Sequence, residues 1–237
     1  MTQDETNGAS ASEARTPPGR VEVTAGSLLY LTLAEIGYFG AAALAAVDFV
    51  LLVATMSTGY SSSVPSSLVG ILLGLLISVA WFQLGRKVGN SWFLAAGISG
   101  AAGAVLGLAS SLWSGVNPSG YYIIAVDMET LVSLVYFVMQ VSAFFSAART
   151  FQVRLFRYAG YLFVITFVVT FVVATVGTIV VVSGTSQAQS GVNLATYGLD
   201  YVFSAVTSIV AGIGFHRSRG TAGASGLNLS TRGQPGR

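Results

Sequence analysis

Six apolar stretches, each long enough to cross a lipid bilayer, are separated by short links that alternate strictly between uncharged and basic. The spans read from the sequence are residues 28–56, 64–84, 91–113, 121–148, 158–182 and 194–215, and about 20 apolar residues suffice to traverse the hydrocarbon. The links STGYSSSVP, SGVNPSG and SGTSQAQSGVN carry no charge, whereas GRKVGN and RTFQVRLFR are basic. If the first span runs outward, all 11 Lys and Arg residues fall on one side of the membrane, and the positive-inside rule makes that side the cytoplasm. An odd number of spans would scatter the same residues over both faces. The expected fold is therefore an all-α membrane protein, a polytopic bundle of six transmembrane helices with both termini cytoplasmic in the cell membrane.

Composition agrees. Charged residues are 8% of the chain and hydrophobic residues 53%, against about 25% charged in a soluble domain. Residues 1–27 and 216–237 mix charge with Ser, Thr, Gly and Pro, and both are expected to be disordered cytoplasmic tails flanking the membrane domain at 28–215. Aromatic residues near span ends, among them Trp81, Trp92, Trp113, Tyr121, Tyr122 and Tyr158, fit an interfacial belt.

Lipid tails are as apolar as leucine, so membrane helices associate through close packing that small residues permit. Span two offers Ser66, Gly70, Gly74 and Ser78 at four-residue steps, and span three offers Ser99, Gly103 and Gly107, with Gly97 and Gly100 beside them. Joined by GRKVGN, the two spans are expected to pack as an antiparallel pair through Gly70, Gly74, Gly103 and Gly107.

Five carboxylates lie inside spans: Glu35, Asp48, Asp127, Glu129 and Asp200. A charged acid at the bilayer centre costs about 2.5–3.5 kcal/mol on insertion scales, so each requires an explanation. Counted from the outer span ends, Asp48, Asp127, Glu129 and Asp200 share a level ~9–12 Å below the exterior surface, and Glu35 lies near the cytoplasmic side. Asp127 and Glu129 are two residues apart and point to opposite sides of their helix. Glu129 continues into Ser133, Tyr136 and Gln140, a polar stripe down one face. The sixth span carries a comparable stripe through Tyr197, Asp200, Ser204, Thr207 and Ser208, and the two stripes suggest helices that face each other.

Three roles are open to these residues. They can bind a cation or relay protons in a small transporter or channel, with Asp48, Asp127, Glu129, Tyr136, Gln140 and Asp200 as the candidate site. They can be protonated and hydrogen-bonded, serving helix packing alone. Or the stripe can contact another membrane subunit or a second copy of the chain, making this an accessory component.

Enzymatic chemistry has little support. Cysteine is absent, which removes disulfides, iron–sulfur clusters and thiol redox chemistry. The one histidine, His216, ends the sixth span and reads as a solvated flanking residue, and the one lysine, Lys87, lies in a loop. No nucleotide fingerprint, cofactor, metal site or nucleic-acid partner is expected, leaving the lipid bilayer as the partner the sequence requires.

Overall fold

The computed structural model describes the backbone of residues 25–58, 65–113, 121–183 and 186–231, and side chains over 27–55, 68–109, 131–173, 175–176 and 195–220. It holds six helices: α1 (Ala25–Thr58), α2 (Pro65–Val88), α3 (Ser91–Trp113), α4 (Tyr121–Thr150), α5 (Arg154–Ser183) and α6 (Ser186–Thr231). All six are long and apolar enough to cross a membrane. The largest departure from the expected spans is α6, which runs on as helix through residues 216–231, where a tail was expected. The N-terminal tail lies almost wholly outside the described residues.

The short turns show how the sequence reverses direction. Gly89 takes φ 70° at the end of α2, a left-handed conformation that costs glycine nothing. That lets the Asn90 N–H reach back to the Gly85 carbonyl at 3.0 Å, closing the 6→1 bond of a Schellman motif. Asn90 also begins the next helix: its side-chain oxygen accepts from the Trp92 N–H at 3.0 Å, the pattern of an N-cap. Its amide nitrogen then donates to Ser146 Oγ of α4 at 2.7 Å. One residue ends α2, starts α3 and ties both to α4. Between α4 and α5, Gln152 adopts φ 55° and bonds the Arg149 carbonyl at 2.7 Å.

Each helix packs against its neighbours in the chain, and α6 closes on α1, so the bundle is a ring in the order α1 to α6. This overturns one expectation. Among the described residues α4 does not pack against α6; it lies between α3 and α5, so the two striped helices are not direct neighbours in the ring. Hydrophobic patterning cannot settle such a pairing, because core and lipid are equally apolar surroundings for a helix.

Five of the helices place one fully buried ring at a common level, Trp81, Phe93, Phe144, Phe156 and Phe215, and α1 adds the nearly buried Tyr38. Tyr38 stacks on Phe215 at 5.5 Å between ring centroids, Phe215 meets Phe156 at 4.8 Å, and Trp81 meets Phe93, Phe215 and Phe144 at 4.9, 5.2 and 5.8 Å. The edge-to-face and offset geometries are those ring quadrupoles favour. Together they form a plug across the ring near the end that carries Arg86, Lys87, Arg149, Arg154, Arg157, Arg217 and Arg219, called the basic end below. Trp81, expected in the interfacial belt, is a core residue instead; Trp92 and Tyr158 are exposed at the basic end as a belt requires. Trp113, Tyr121 and Tyr122 lie outside the described side chains.

The small-residue contact between α2 and α3 also sits at the basic end. A Cβ on Gly97 would lie 2.6 Å from the Phe82 nitrogen and 2.7 Å from the Ser78 carbonyl oxygen, and one on Gly100 would collide with Ser78 Oγ. Gly70 instead approaches Leu44 of α1, while a Cβ on Gly74 or Gly103 would meet nothing within 4 Å among the described residues. Gly107 is half-buried. The two helices do pair through glycine, but through Gly97 and Gly100 and not the residues expected.

Candidate functional site

The largest fully buried polar side chain of the described bundle is Gln140, 1% exposed, on α4. It reaches across the ring to the Tyr38 hydroxyl of α1, to which its Nε2 is bonded; the same hydroxyl accepts from Trp81 Nε1 of α2 at 2.9 Å. Two donors on one phenol leave the phenol's own hydrogen without an acceptor. Turning the Gln140 carboxamide over, which exchanges nitrogen and oxygen in place, completes a chain in which Trp81 donates to Tyr38 and Tyr38 donates to Gln140. As placed, the outer carboxamide oxygen is buried without a hydrogen-bond partner among the described residues. A buried, half-satisfied amide is costly, and one helical turn from it on α4 is Tyr136, whose ring lies against Gly100 of α3 and edge-on to Phe163 of α5.

Helical register shows what lies beyond. Ser133 is seven residues from Gln140, Gly74 seven from Trp81, and Tyr197 eighteen from Phe215, so each shares a face with a member of the plug or its polar chain. Yet Ser133 and Tyr197 are exposed, and a Cβ on Gly74 would meet nothing within 4 Å among the described residues. The inward faces are sealed at the basic end and uncovered from ~10 Å beyond it, taking the helical rise.

No family model, curated protein or solved structure matches the chain. What the interior can do is therefore argued from its own residues.

Of the intramembrane acids, Asp48 of α1 and Asp200 of α6 are half-buried, and Tyr201 of α6 lies within electrostatic reach of both and of Tyr197. Asp200 also approaches the Thr170 hydroxyl of α5, which is buried and makes no hydrogen bond of ordinary geometry among the described residues. The sixth-span stripe thus meets α1 and α5, and Thr207, one heptad below Asp200 on the same face, is buried with its hydroxyl unpaired among the described residues. Asp127 and Glu129 belong to α4, but their side chains lie outside the described residues.

Glu35 corrects a further expectation. It has basic partners: His216 Nδ1 lies 3.0 Å from one carboxylate oxygen and Arg219 Nη1 3.2 Å from the other. Arg219 also donates to Thr32 Oγ1 at 3.4 Å. His216 is thus a bonded residue that clamps α6 to α1, not a bare flanking one. The signal was in the sequence, since His216 and Arg219 are three apart and share a helical face, but nothing there said that α1 was the neighbour. Thr166 and Thr175 bond back to the Leu162 and Phe171 carbonyls at 2.8 Å, as their positions in an apolar helix predict.

Proposed function

We propose that this chain is a small, non-enzymatic membrane transporter or channel whose interior vestibule is closed at the basic end by the aromatic plug, with Asp48 and Asp200 binding a cation or proton. The reading rests on one observation, that Ser133 and Tyr197 point along the same faces as the plug and its polar chain yet remain uncovered. Two carboxylates and a phenol from α1 and α6 suit a cation or a shared proton, since intramembrane acids are retained where they pair or meet a water-filled path. Because basic residues collect cytoplasmically, the reading places both termini in the cytoplasm and opens the vestibule to the exterior.

The absence of cysteine makes the test direct. Single cysteines at Ser133, Tyr197, Ser204 and Gln140 in the membrane-embedded protein are challenged from outside with a membrane-impermeant thiol reagent. Ser133 and Tyr197 should label and Gln140 should not. Protection of Ser133 and Tyr197 to the level of Gln140 would sink the vestibule.

A second reading, a non-catalytic structural or accessory subunit, is favoured by how two of the acids are used. Glu35 joins α1 to α6, and Asp200 faces α5 from α6, so carboxylates lie at helix contacts. Under this reading purification in mild detergent recovers a second polypeptide in fixed ratio; elution of the chain by itself counts against it.

A further inference from the structure

The basic turns on either side of the plug are held together. Asn90 bonds Ser146, and Phe93 stacks on Phe151 at 5.9 Å, which sets the α2–α3 turn beside the α4–α5 turn. Each turn brings exposed cations: Arg86 and Lys87 from the first, Arg149 and Arg154 from the second. Among the described residues these four make no ion pair, and the one acid at this end, Glu35, is engaged by α6. Unpaired cations held side by side repel one another and call for an anionic partner.

The adjoining surface says which kind. On α5, Arg154, Tyr158, Tyr161, Ile165, Val168 and Val172 recur at three- and four-residue steps, Arg157 stands one turn from both Arg154 and Tyr161, and all are exposed, so they form one outward face. Along that face chemistry changes from guanidinium to phenol to aliphatic. A charged headgroup, its interfacial region and its acyl chains present the same sequence with depth, and amphipathic rings settle at the middle level. A dissolved phosphate would use only the first step.

We propose that the two turns and the start of α5 form a binding site for an anionic phospholipid, its phosphate held by Arg86, Lys87, Arg149 and Arg154 and its acyl chains lying along the α5 face. The site is independent of whether the vestibule transports anything.

The test uses the full chain in a neutral detergent, titrated with short-chain phosphatidylglycerol and with phosphatidylcholine of the same chain length, and followed by native mass spectrometry. Phosphatidylglycerol should bind more tightly, and each Arg→Gln or Lys→Gln change at the four positions should weaken it roughly fivefold, the effect of about one cation at a membrane surface. The preference should shrink with added salt. These side chains are exposed, so an unchanged melting temperature will confirm that the variants fold. The double change Tyr158→Ala/Tyr161→Ala should weaken both lipids alike. Three results would overturn the site: equal affinity for the two lipids, displacement of phosphatidylglycerol by an equal concentration of inorganic phosphate, or an equal loss in the control Arg15→Gln/Arg20→Gln, which removes charge from other positions of the sequence.

Discussion

The Tyr38 hydroxyl and the Gln140 carboxamide meet across the ring, joining α1 to α4, two helices whose backbones do not otherwise pack together among the described residues. With Trp81 they make a polar chain through three helices inside an aromatic plug. Tyr38→Phe strands both the indole N–H and the carboxamide, and should lower stability by about 1–3 kcal/mol. Gln140→Leu in the Tyr38→Phe background should cost less than the two single losses added, because residues in one network are not additive. Unfolding in mixed micelles measures all three; simple additivity would mean that the bond contributes nothing.

Gly97 and Gly74 carry the second prediction. Alanine at Gly97 forces a methyl onto the α2 backbone, and should destabilise by about 1–3 kcal/mol, the range for overpacking. Alanine at Gly74 or Gly103 enters open space and should stay within about 0.5 kcal/mol of the parent. Melting temperatures of the three variants, compared side by side, decide whether the tight contact is at the basic end.

Asn90 serves three neighbours, so Asn90→Ala should cost more than an ordinary cap. A lost N-cap is about 1 kcal/mol, and the broken bond to Ser146 should bring the total to about 2 kcal/mol. Asn90→Asp keeps the cap and loses the amide donor, so it should fall between. A ranking with aspartate as damaging as alanine would remove the capping role.

The clamp at Glu35 is electrostatic and half-exposed, so its worth is modest. Glu35→Gln should lower stability by no more than about 1 kcal/mol, with the difference fading as salt is raised. A salt-independent loss would point to packing instead. Arg219→Gln should reproduce most of the effect, since Arg219 lies against the same carboxylate.

The spans themselves are legible in the sequence because the hydrocarbon imposes both length and composition on anything that crosses it. Their order around the ring is not. Trp81 and Trp92 illustrate why: both are tryptophans near a span end, yet one is the centre of the core and the other faces outward. In water the buried member of such a pair would betray itself by apolar company, but in a membrane both have it. Polar residues keep more of the signal. Gln140 and Asp200 stand out from sequence and both prove to face other helices, whereas the partner of Glu35 depended on the α6–α1 closure, which connects the two ends of the chain and has no local signature. The tight glycine contacts lie at Gly97 and Gly100 and not at Gly74 and Gly103, because the spacing of small residues fixes a face and not the depth at which two helices touch.

That closure has a consequence for how the protein is made. Helices enter the membrane in chain order, and each of α2 to α5 can pack on the one before it. The sixth must find the first, and it brings both Phe215 for the plug and His216 and Arg219 for Glu35. Until it arrives, α1 presents a carboxylate and one side of its phenol to lipid. A chain truncated before α6 lacks Phe215, His216 and Arg219 together, and should differ from the whole bundle by that uncovered face of α1.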